Sequence, residues 1–140
     1  MAAERRVVGQ TAQSGFQVGV RRTLPFAAEA VWAVLCSPAG MTVWLGGPVA
    51  LEPGTRYTLA DGTFGEVRVY RPGSHIRLTW QPPGWAQPST LQVRVLPART
   101  GTTLSFHQER MRGPAERAAM KAHWVQVIAR LAELLRAQTG

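Results

Sequence analysis

From Pro114 to Arg136 apolar residues recur at threes and fours: Met120, Trp124, Val127, Ile128, Leu131, Leu134 and Leu135, with Arg117, Lys121, Arg130 and Glu133 between them. This spacing predicts one amphipathic helix with a single apolar stripe. Gly113-Pro114 marks its start, Glu116 suits its positive first turn, and Arg136 suits its negative end. A rod of about 34 Å, at roughly 1.5 Å per residue, is not stable alone in water and needs a partner surface. The residues ahead of it read only as short strands and turns, so the partner is a sheet.

The punctuation of that upstream region is regular. Phe16 to Thr23 alternates Phe16, Val18 and Val20 with Gln17, Gly19 and Arg21, the period of a half-buried strand closed by Leu24-Pro25. Ala27 to Leu35 reads as a short helix with Val31, Trp32 and Leu35 inward. Ser37-Pro38 supplies an N-cap and first-turn proline for a second helix ending near Trp44. Turn signals at Pro53-Gly54, Asp61-Gly62, Pro72-Gly73, Pro82-Pro83-Gly84 and Arg99-Thr100-Gly101 then separate six runs. These are Val49–Glu52, Thr55–Leu59, Thr63–Tyr70, His75–Gln81, Thr90–Leu96 and Thr102–Glu109. Such short loops demand antiparallel neighbours. The expected architecture is α+β: a β-α-α-β6-α order in which a curved seven-stranded antiparallel sheet wraps around the C-terminal helix. Residues 1–14 show no periodicity and are expected to form a flexible arm before a single domain over 15–140. Phe64 breaks the alternation that sends Val67 and Val69 inward, which marks Gly65 as a candidate bulge.

Several segments carry a family resemblance. They are Phe26-Ala-Ala-Glu-Ala-Val-Trp32, Met41-Thr-Val-Trp-Leu-Gly46, Gly65-Glu-Val-Arg-Val-Tyr-Arg-Pro72 with Ile76-Arg-Leu-Thr-Trp80, Gly101-Thr-Thr-Leu-Ser-Phe-His-Gln108, and His123-Trp124 followed by Leu131 and Leu134. Over residues 16–136 the chain resembles the START-like (SRPBCC, Bet v-like) superfamily, and within it the small bacterial homologs of the activator of heat shock protein 90 ATPase (AHSA-like). The resemblance implies a helix-grip fold that holds a lipid, polyketide, hormone or other greasy ring system between sheet and helix. This chain has His123 where that branch frequently has glycine.

The remaining composition narrows the function. At 45% hydrophobic and 17% charged, the 140 residues suit one globular core. No apolar run approaches the roughly 20 residues of a membrane span, and no signal-peptide core follows Arg5-Arg6, so a cytoplasmic protein is expected. Cys36 stands alone and reads as a buried structural thiol. The formal charge of +8 is carried almost wholly by arginine, scattered along the chain, with Arg68, Arg77 and Arg94 alternating onto the outer sheet face beside Glu66 and Glu109. No nucleic-acid recognition motif accompanies it, so nucleic acid is not an expected partner. His75 and His107 point outward, no metal-ligand spacing occurs, and no nucleophile elbow, phosphate loop or dinucleotide fingerprint is present. No cofactor, metal or catalytic residue is therefore assigned.

A curved sheet that does not fully meet its helix leaves an apolar cavity with a few polar groups. Its candidate walls are Trp44, Tyr57, Leu59, Val67, Val69, Leu78, Trp80, Leu91, Val93, Phe106, Met120, Trp124 and Ile128, with His123 at the rim. Tyr57, His123 or a tryptophan N–H would supply the polar anchor. The expected function is binding of a small hydrophobic, aromatic or polycyclic ligand, as carrier, sensor or sequestering protein. The alternatives are a polyketide cyclase/dehydratase-like enzyme using the same cavity, with His123 as its titratable group, and a chaperone-related protein-interaction domain. A homodimer is left open.

Overall fold

A computed structural model describes residues 10–11 and 15–139. After a two-residue strand β1 (Gln10–Thr11) come β2 (Gly15–Leu24), helices α1 (Ala28–Cys36) and α2 (Pro38–Trp44), and β3 (Arg56–Thr58). Next follow β4 (Phe64–Arg71), β5 (His75–Trp80), β6 (Ser89–Ala98), β7 (Gly101–Met111) and the long helix α3 (Pro114–Thr139). The sheet is antiparallel throughout, in the order β1-β2-β7-β6-β5-β4-β3. It is the expected helix-grip layout.

The local signals act as read. The Ser37 hydroxyl accepts from the Gly40 N–H at 3.0 Å, capping α2 ahead of its first-turn proline. At the start of α3 the Glu116 carboxylate accepts from the Arg112 N–H at 2.8 Å and pairs with the Arg112 guanidinium at 3.1 Å. The inward stripe of α3, Met120, Trp124, Val127, Ile128, Leu131 and Leu135, is buried, and Ala132 joins it. On the sheet, Leu104 and Phe106 of β7, Leu91 and Val93 of β6, and Ile76 and Leu78 of β5 form the facing layer.

Four expectations change. Val49–Glu52 is irregular, not a strand; Gly54 donates to the Val67 carbonyl and Val67 to that of Thr55, so turn residues occupy that stretch of the β4 edge. The count of seven strands is completed instead by Gln10–Thr11, within the expected arm, whose other residues lie outside those described. The bulge in β4 is not at Gly65. Val67 pairs with Leu78 but Val69 with Arg77, so the extra residue is Arg68. Val69 therefore shares the outer face with Arg77 and is no wall of an inner cavity, because a one-residue slip turns every later side chain over. Gly65 is required for another reason: a Cβ there would lie 2.6 Å from the Tyr57 hydroxyl and 2.0 Å from the Thr79 carbonyl oxygen.

Candidate functional site

The space between α3 and the sheet is occupied by an aromatic column. Phe106 of β7 stacks on Trp124 of α3 with ring centroids 4.8 Å apart and 9° between planes. Trp44 of α2 tilts against Phe106 at 6.3 Å, and Trp80 at the end of β5 tilts against Trp124 at 6.2 Å. Trp85, at the tip of the β5–β6 loop, folds back edge-on to Trp80 at 5.7 Å. These contacts arise because the inward parity of β5 and β7 delivers Trp80 and Phe106 to the face that the α3 stripe covers. Offset and edge-to-face arrangements of this kind add about 0.5–1.5 kcal/mol per pair beyond area burial.

A polar chain runs beside the column. The Trp124 indole N–H donates to Gln108 Oε1 at 2.9 Å, Gln108 Nε2 donates to Ser89 Oγ at 2.9 Å, and Ser89 Oγ donates to the Trp80 carbonyl at 2.6 Å. Both Gln108 and Ser89 are wholly buried. Two further buried aromatic donors are also engaged: Trp44 N–H on the Leu35 carbonyl at 2.9 Å, Tyr57 hydroxyl on the Thr79 carbonyl. Burial pushes the Tyr57 phenol well above its ordinary pKa, so it stays a neutral donor. The indole N–H of Trp80 is different. Among the described side chains it is the buried polar atom with no hydrogen-bond partner. Leaving such a donor unmet costs about 1–3 kcal/mol.

Of the residues read as cavity walls, Trp44, Tyr57, Leu59, Val67, Leu78, Leu91, Val93, Phe106, Met120, Trp124 and Ile128 are buried. Trp80 is half-buried, and Val69 lies on the other face. Sequence reasoning missed Ser89 and Gln108. The signal was present: Gln108 stands two residues after Phe106 and so on the same inward side, and a polar residue there demands a partner.

His123 sits at the rim as its position one residue before Trp124 requires. It is exposed over much of its surface, yet its ring stands edge-on to Trp124 at 4.6 Å, which removes water from one side. That desolvation, helped by Arg130, holds its pKa below the ordinary 6.5. The unfolded chain then binds the proton more readily than the folded one, so folding stability falls as pH drops below about 6.5. His123→Gln is expected to lessen that fall in thermal melts between pH 7.5 and 5; an unaltered profile would reduce the ring to a solvated group. Cys36 is half-buried, and burial raises its thiol pKa. Among the described residues no cluster of His, Cys, Asp or Glu has the makings of a metal centre, and no helix is long and apolar enough to cross a membrane.

The family model of the activator of Hsp90 ATPase homolog 1-like proteins matches residues 25–136, which span the chain from α1 through most of α3. The chain belongs to that family. Its fold is shared with solved structures of low identity. MLL2253 from Mesorhizobium loti is 24% identical with a TM-score of 0.73, over 89% of this chain and 98% of that one. DynU16, of the dynemicin biosynthetic locus, is 24% identical with a TM-score of 0.73 over 86% of this chain; the match spans 47% of DynU16, about half its length. CalU16 from Micromonospora echinospora, in its solution structure, is 16% identical with a TM-score of 0.76, over 86% of this chain and 65% of that one. No curated protein matches the sequence. At these identities the neighbours establish the fold that this family member adopts, and its residues must carry the argument for function.

Proposed function

We propose that this protein binds a small, flat, apolar molecule bearing a hydrogen-bond acceptor, at the tryptophan cluster between the sheet and α3. The unmet N–H of Trp80 carries the reading: an acceptor on the ligand would satisfy it, while the side of the Trp80 ring now met by Trp85 would cover the rest. The column is closed by Trp85, whose loop returns by a Pro82–Trp85 turn and a bond from Gln81 Nε2 to the Trp85 carbonyl. A ligand entering here takes the place of Trp85 against Trp80, exchanging one aromatic surface for another. The buried polar groups beside the column are amide, hydroxyl and indole, which orient a guest without exchanging protons with it, and the titratable His123 stands at the rim. These groups favour a carrier or sensor role. DynU16, which shares this fold, comes from the dynemicin biosynthetic locus, which makes a biosynthetic pathway a sensible place to seek the ligand.

The test uses 9-fluorenone, a neutral aromatic ketone, against fluorene, which lacks the oxygen. Trp80→Phe is expected to weaken fluorenone binding about three- to tenfold, the equivalent of one neutral hydrogen bond, and to leave fluorene unchanged. The same substitution removes an unmet donor, so its thermal stability should stay near that of wild type. Trp85→Ala should tighten both probes, because a competing ring no longer has to leave. Equal loss of both probes in Trp80→Phe, or weaker binding in Trp85→Ala, would overturn the proposal.

A further inference from the structure

On the outer face of the sheet, away from the tryptophan column, lies a groove of about 610 Å³. Its lining includes Arg68, Arg77, Arg110 and Arg112, with Thr79, Thr90 and Gln87 supplying uncharged donors. The strand register shows how the arginines come together. Thr79 pairs with Thr90, and Thr90 with Glu109, giving a row across β5, β6 and β7 on one face. Arg77 stands two residues from Thr79 on that same face.

Arg68 and Arg110 reach the groove through irregularities in the sheet. Arg68 is the extra residue of the β4 bulge. In β7, Phe16 pairs with Met111 and Val18 with Gln108, so two β7 residues, Glu109 and Arg110, oppose Gln17 alone. Arg110 takes up the slack with φ of 68°, the sole positive φ outside glycine among the described residues. A long side chain in that conformation is strained where glycine is not. Bulges commonly re-aim a side chain beside a functional site, and here two of them, on non-adjacent strands, each present an arginine to one hollow.

The charge on this face is only partly met. Arg77 pairs with Glu109 at 3.3 Å and Arg112 with Glu116 at 3.1 Å, while Glu66 is shared loosely between Arg68 at 3.9 Å and Arg56 at 3.8 Å. A guanidinium has five N–H donors, and one carboxylate takes at most two in a fork, so donors remain on each. No ion pair involves Arg110 among the described residues. The field reaches across the face to His75, whose protonation is disfavoured first by burial and then by Arg94, Arg71 and Arg77.

We infer that this groove is a second binding site, for a small organic anion carrying two or more negative charges on phosphate or carboxylate groups, with Arg68 and Arg110 as its principal clamps. Its volume exceeds that of one oxyanion, and its arginines approach from several strands, which suits a multiply charged molecule rather than a lone ion. The site lies across the sheet from the tryptophan column and meets it only at the β5–β6 loop, where Trp85 shares a small hollow with Arg110 and Arg112.

Calorimetric titration with inorganic pyrophosphate and with citrate tests it, the tighter of the two identifying the acid. Wild type should bind at least one saturably at millimolar concentration. Arg110→Gly should weaken that binding about tenfold while keeping or raising the melting temperature, because glycine relaxes the positive φ. Arg68→Ala should weaken it similarly, Arg94→Ala, outside the groove, should change it little, and fluorenone binding should be unaffected by Arg68→Ala and Arg94→Ala. Absence of saturable binding, an equal loss in Arg94→Ala, or tighter binding of duplex DNA than of either anion would overturn the inference.

Discussion

Ending the chain at Gly113 will abolish cooperative unfolding. The helix removed contributes Met120, Trp124, Val127, Ile128, Leu131 and Leu135 to the core, all buried. At about 1.5–3 kcal/mol for each fully buried side chain, their loss matches or outweighs the roughly 5–15 kcal/mol by which a domain of this kind is stable. It also bares the inward face of the sheet, from Phe106 across to Leu78. A truncated chain should show a broad, non-cooperative circular-dichroism melt and bind hydrophobic dyes. A sharp transition near the full-length temperature would mean that the sheet closes on itself without α3.

The second large effect is expected at Trp124. Replacement by alanine deletes the ring stacked on Phe106 and should cost about 3–5 kcal/mol, with a further penalty for the buried Gln108 carbonyl that loses its donor. Trp124→Phe separates the two contributions. It fills most of the space but still orphans Gln108, so about 1–3 kcal/mol should remain. Combining Trp124→Phe with Gln108→Leu should then cost less than the two single changes added together, since an unpaired polar group is removed along with its partner. Strict additivity in denaturant titrations would show that the indole–amide bond contributes nothing to stability.

The elements that were legible in the sequence are those in which one periodicity runs uninterrupted. The α3 stripe and the alternating runs of β5, β6 and β7 dictate which faces are apolar, and short turns dictate antiparallel neighbours, so the helix-grip arrangement follows. Val49–Glu52 shows the limit. Its Val49 and Leu51 alternate as in a strand, but the nearby ladder positions on β4 are taken by Gly54 and Thr55, and no composition reveals that competition. The bulges at Arg68 and Arg110 are equally invisible, since one extra residue leaves propensity untouched while reversing which side each later residue faces. Alternation alone therefore sends Val69 inward, whereas the bulge turns it outward beside Arg77. The candidate site was legible only in part: the walls followed from parity, but the partners of each polar atom, and so the singular position of the Trp80 N–H, depend on contacts between residues far apart in sequence, such as Ser89 with Gln108 and Gln108 with Trp124.

The sheet is bounded by its two shortest strands, the two residues of β1 and the three of β3. Long unpaired edges act as templates for further strands, and short ones deny a newcomer more than a few backbone bonds. Among the described residues, however, β1 meets only Gly15 and Phe16 of the ten-residue β2, and β3 meets only Phe64 to Glu66 of β4, so the remaining lengths of those two strands form the margins of the sheet. Self-association through main chains would have to run along those margins, whereas association through the faces of the sheet would be selected by the charge and shape of their side chains.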